Sequence, residues 1–165
     1  MQKIVVGILA FLLMLFPNWK SVRFQYLTIT NNTSIAAPKI IDAVKRKDAA
    51  ALEAMMCLNI KTNIPDLRGE VGRLLDAIDG DMTEATWESS GSYQGAQQDG
   101  RRLTQVILSF HFNTSTGTYF MGMTWETANN FKADEVGIRG IGLLDPDGAV
   151  LLIINATEGV GNWHN

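Results

Sequence analysis

The sequence predicts an α+β domain with N-terminal helices packed on one face of an antiparallel sheet. Two observations predict it. Apolar residues recur at helical spacing as far as Gly80 and at alternate positions beyond it. The alternating segments follow one another through short turns, among them Pro146-Asp147-Gly148, a strong hairpin signal.

Three helices are expected. Pro38 suits a first helical turn, and Ile40, Ile41 and Val44 share one stripe. Asp48 suits the N-cap of a helix over Ala49–Leu58, with Leu52, Met55 and Met56 on its apolar face. In the third, Leu67, Val71, Leu74, Leu75 and Ile78 fall on one face, and Gly80 closes the helix as a C′ residue. Arg73 is placed to pair with Asp76, and Asp76, Asp79 and Asp81 make a solvated acidic end. Strands are expected over Met82–Ser90, Arg101–Phe112, Gly117–Thr127, Glu135–Asp145 and Ala149–Asn155, with a polar, glycine-rich loop between the first two. Gly122, Gly137, Gly140 and Gly142 would let the sheet bend sharply.

The N-terminus has a different character. Met1-Gln2-Lys3 precedes an unbroken apolar run, Ile4–Phe16. That is the form of an export signal. As a helix the run would cover only about 20 Å, short for a hydrocarbon core of about 30 Å. Residues 1–20 are therefore read as a signal peptide or a short membrane anchor touching the membrane through residues 4–16. Residues 21–36 are read as a spacer and 37–165 as the domain, which places the protein outside the cytoplasm, secreted or anchored. No cysteine follows the run closely, so a lipid cannot be attached there. Cys57 is the only cysteine, which excludes an intramolecular disulfide. The net charge of −3, with both signs interspersed, argues against a nucleic-acid partner.

A resemblance adds to this reading. The stretch AVKRKDAAALEAMMC (Ala43–Cys57) resembles the opening of nuclear transport factor 2-like domains. More specifically, Lys47–Met82 resembles a Gram-positive family of small exported, often lipid-anchored proteins of unknown function. The Ile64–Leu67 and Ile78–Gly80 steps match, and EVGIRGIGLLDPDG (Glu135–Gly148) is similar to the family's final hairpin. The likeness covers Ala37 to Ile154; this chain departs from it in lacking the membrane-proximal cysteine. It implies a nuclear transport factor 2-like (cystatin-like) cone, a strongly curved sheet wrapped around a long helix with a pocket. It brings no activity, since relatives of this superfold include isomerases and dehydratases as well as proteins that only bind or assemble.

Alternation sorts the candidate residues. Val106, Leu108, Phe110 and Phe112 form the core face of their strand, and Gln105, Ile107, Ser109 and His111 the other. Ile107, Ser109 and His111 are therefore candidates for a sheet-face interface, and His111 is not expected to act as a pocket base. Tyr119, Met121, Met123 and Trp125 share a face, with Trp87 on its own strand. They are core, or the wall of a pocket for a small apolar ligand.

Catalytic motifs are missing: there is no G-x-S-x-G, GIRGIG lies in a strand pattern, and His111 and His164 make a poor zinc set. No metal or cofactor is expected. The expected function is an exported, non-enzymatic domain that binds a small apolar ligand or a protein partner. One alternative is an isomerase or dehydratase, with Glu84, Glu88 or Glu126 abstracting a proton while Tyr119 or His111 stabilises the oxyanion. The other is a homodimeric interaction or immunity-type module.

Overall fold

A computed structural model describes residues 33–90, 97–98, 101–129, 135–155 and 159–161. The apolar run 4–16, most of the spacer, most of the loop before Arg101 and His164 lie outside the described residues. The elements below belong to the unit Ile35–Asn165, apart from the first two residues of the first helix.

Helix α1 spans residues 33–45 and buries Ile40 and Val44, as their spacing predicts. It is already helical at residue 33, five residues before Pro38, so that proline does not sit in the first turn. Its end is a Schellman turn. The Asp48 amide donates to the Ala43 carbonyl at 2.8 Å and the Lys47 amide to Val44 at 3.0 Å. Lys47 occupies the left-handed C′ position at φ 49°, where glycine is usual. The lysine Cβ costs about 1–2 kcal/mol there.

Helix α2, Ala49–Ala54, is capped by the Asp48 carboxylate, which accepts from the Ala51 amide at 2.9 Å. Asp48→Ala is expected to cost about 1 kcal/mol, read as a lower urea midpoint with unchanged slope. The helix does not run to Leu58. Met56 leaves it to make a parallel bridge with Ile138. Ile138 donates to the Met55 carbonyl at 3.0 Å, and the Cys57 amide donates to Ile138 at 3.1 Å. These tertiary bonds replace the next intrahelical ones, so the apolar run is cut in two. Cys57 then opens α3, Leu58–Asn63.

Helix α4, Leu67–Asp76, starts at the Asp66 side chain, which accepts from the Gly69 amide, and buries Leu67, Val71, Leu74 and Leu75. It ends at Ala77 rather than near Gly80. Gly80 does use a positive φ, 78°, but to turn the chain toward the sheet. There Thr116 Oγ1 donates to the Asp79 carbonyl at 2.9 Å. Arg73 pairs with Glu70 and not with Asp76. The Arg68 Nε to Glu53 carboxylate contact, 2.7 Å, ties α4 to α2.

The strands are β1 (Met82–Ser90), β2 (Gln97–Gln98), β3 (Arg101–Thr114), β4 (Thr118–Asn129), β5 (Gly137–Leu144), β6 (Val150–Asn155) and β7 (Gly159–Gly161). They form an antiparallel sheet in the order β1-β3-β4-β5-β6-β7, with β2 paired to β3. Five principal strands carry it, and its two ends do not meet. Register shifts in the pairings of β1 with β3, β3 with β4, β4 with β5 and β5 with β6 mark bulges. Helix α3 lies against β5 and α4 against β6. The fold is thus α+β, with the helices N-terminal to an open antiparallel sheet.

Candidate functional site

The two faces of the sheet have different chemistry. On the face toward the core, Phe112, Phe110 and Leu108 of β3 oppose Tyr119, Met121 and Met123 of β4. All six are buried, and the Phe110 and Phe112 rings lie parallel at 6.0 Å. Trp87 opposes Phe110 from the edge strand β1, and Trp125 opposes Val106 and Ile138; both tryptophans are half-buried. The five ligand-wall candidates therefore do share one face. Tyr119, Met121 and Met123 are packed within it, and Trp87 and Trp125 keep some exposure.

The outer face carries Ile107, Ser109 and His111. Ile107 is 39% exposed, while Ser109 and His111 are half-buried. The His111 ring meets the edge of Phe120 at 5.1 Å between centroids, which accounts for its placement beside an aromatic and not beside an acid. One row across this face reads Glu88, Ser109, Gly122, Gly142, Ile153. At Gly122, Gly140 and Gly142 an added Cβ would meet nothing nearer than 3.5 Å. The floor is therefore bare backbone, for which no contact among the described residues asks.

The acids separate. Glu84 is exposed and accepts from Asn113 Nδ2 at 3.2 Å; Glu88 is exposed opposite Ser109. Glu126 is different: it is 0% exposed. Its neighbours explain how a carboxylate can be buried there. The regular β3–β4 register sets Glu126 opposite Gln105, whose Nε2 lies at 3.4 Å, just before the bulge at Thr127. A second bulge, in β4–β5, leaves Arg139 without a Cα partner in β4 and aims it at Glu126. The guanidinium reaches the Glu126 carboxylate at 3.0 Å and Glu135 at 3.6 Å. Burial of the anion is thus offset by a charge-assisted hydrogen bond from a cation with 23% exposure. Alternation places Gln105 on the outer face but does not point to Arg139, because the β4–β5 bulge shifts the parity there, nor to Glu135, which precedes β5.

The base and oxyanion donor of the enzymatic alternative are not brought together. Tyr119 faces the core, whereas Glu84, Glu88 and His111 face outward. Glu126 sits opposite Gln105, six residues from His111 on β3, or about 20 Å along an extended strand. Among the described residues no three His, Cys, Asp or Glu side chains gather as a metal site. No described helix is long and apolar enough to cross a membrane.

The model of a domain of unknown function, DUF5104, matches residues 39–146, from α1 to the turn after β5. The chain belongs to this family. No curated protein matches it. The DUF5104 match takes in the Glu126–Arg139 pair, the glycine floor of the outer face and the Met56–Ile138 bridge, and it stops before β6.

Proposed function

We propose that this DUF5104 protein is an exported or membrane-anchored binding domain, not an enzyme, and that it holds a protein partner on the outer face of its sheet. The observation that supports this best is the bare floor at Gly122, Gly140 and Gly142, rimmed by Ile107, His111 and Phe120. Interior strand glycines weaken a sheet and commonly mark close approach of another backbone. Here no segment among the described residues makes that approach. Placement outside the cytoplasm rests on the apolar run 4–16. The order of helices followed by a bulged antiparallel sheet is compatible with a nuclear transport factor 2-like cone, and we read the fold that way. A second reading, a small apolar ligand, draws on the residual exposure of Trp87 and Trp125 on the core face.

The test is site-specific photo-crosslinking of the full chain in its own host. A photoreactive residue at Ile107 should yield a discrete protein adduct, and the same residue at exposed Asp76 on α4 should not. An adduct to a second copy of the chain would identify a homodimer. Equal or absent labelling at the two positions would remove the outer face as the binding surface. Ile107→Arg should abolish the adduct formed from a photoreactive residue at Ser109 while changing stability by less than about 0.5 kcal/mol, as for other exposed positions.

A further inference from the structure

A cleft of about 320 Å³ lies between the end of α1 and the approach to β1, lined by Val44, Lys45, Arg46, Lys47, Ile78, Gly80, Asp81 and Met82. Its apolar floor is made by Val44 and Ile78, both buried, with Met82 half-buried. Its volume is at the small end of ligand sites, roughly 300–1,000 Å³. That limits an occupant to a small molecule.

The charges around it are not mutually satisfied. Arg46 is held by Asp42 at 2.6 Å and lies 3.9 Å from Asp48. The Lys45 and Lys47 ammonium groups and the Asp81 carboxylate have no ion-pair partner among the described residues. The cleft therefore offers two free cations on one wall, one free anion on the other and hydrocarbon between them.

Lys47 supplies an independent indication. Complementing the α1 dipole accounts for a lysine at position 45, within the last turn. It does not account for one at position 47. There φ is 49°, the only positive value at a non-glycine residue among those described. Glycine would make the same Schellman turn without the penalty. A strained side chain that lines a cleft is a reason to look for a ligand at that cleft.

We propose that this cleft binds a free α-amino acid with an aliphatic side chain. The ligand carboxylate lies between Lys45 and Lys47, its ammonium group meets Asp81, and its side chain rests on Val44 and Ile78. This is independent of the partner surface on the outer face.

Equilibrium dialysis of labelled L-leucine against the full chain in detergent tests it. Saturable binding is expected, with N-acetyl-L-leucine and L-leucinamide each weaker by about two- to fivefold, the scale of one exposed ion pair. Lys47→Gly should weaken leucine binding by a similar factor while raising Tm by about 3 °C. Asp81→Asn should weaken leucine but leave N-acetyl-L-leucine unchanged. Absence of saturable binding up to about 10 mM, where affinity would fall below a few kcal/mol, would overturn the proposal. So would a Lys47→Gly protein that gains stability and binds leucine as before.

Discussion

Arg139→Ala is expected to destabilise the domain by about 3 kcal/mol, the largest effect of any single charge removal among the described residues. The reason lies on the other side of the pair. Glu126 is fully buried, and the substitution takes from its carboxylate the guanidinium that donates to it at 3.0 Å. Taking a cationic partner from a buried ion costs more than the pair contributes, because the remaining charge stays desolvated with less to offset it. Replacing both residues avoids that. Glu126→Met combined with Arg139→Met is expected to recover most of the loss. Urea midpoints of the two single variants and the double variant would show this as strong non-additivity. A loss below about 1 kcal/mol for Arg139→Ala, the range of exposed pairs, would mean that the ion pair contributes little.

Gly137→Ala is expected to cost at least as much, about 3–5 kcal/mol, for a different reason. Gly137 has φ 134°, which L side chains rarely adopt. An added Cβ would stand 2.8 Å from the Met55 carbonyl oxygen, 2.9 Å from the Cys57 nitrogen and 3.0 Å from the Met56 carbonyl carbon. All three atoms are backbone, so no rotamer change relieves the clash. The chain must move, and the hydrogen bonds joining Ile138 to Met55 and Cys57 must lengthen. Denaturation should report the loss, and hydrogen exchange should localise it to the Cys57 and Ile138 amides. Gly142→Ala is the control. Its nearest neighbour would be Ile153 Cγ1 at 3.5 Å, an ordinary contact, so little change is expected.

These two residues also mark where reading the sequence stops. The alternation of β3 placed Val106, Leu108, Phe110 and Phe112 in the core and His111 outside it, and the structure agrees because that strand is regular from Gln105 to Asn113. The same parity rule cannot single out Glu126. It lies between two bulges, and a bulge has no composition that announces it at Thr127 or Arg139. Helix periodicity located the apolar stripes of α1, α2 and α4 but not the break at Met55–Cys57. That break is made by a strand far along the chain, and no local propensity encodes it. Arg73 choosing Glu70 over Asp76 is of the same kind, since both spacings are allowed on a helix. Glycine at position 80 announced a positive φ correctly and its role incorrectly. The helix had already ended, and the turn was needed to meet the β3–β4 loop.

The Met56–Ile138 bridge has a consequence for the order of assembly. The hairpins β3–β4 and β5–β6 join neighbours in sequence and can close quickly. The bridge joins residues about eighty positions apart, and such a loop must be closed before any contact within it is rewarded. During synthesis α1 to α4 leave the ribosome first, with their apolar stripes uncovered, and the strand that fixes α2 against α3 is made much later. The helical half of the chain thus remains unfinished until the sheet reaches it. For that interval it depends on dilution or a chaperone to avoid sticking to other chains.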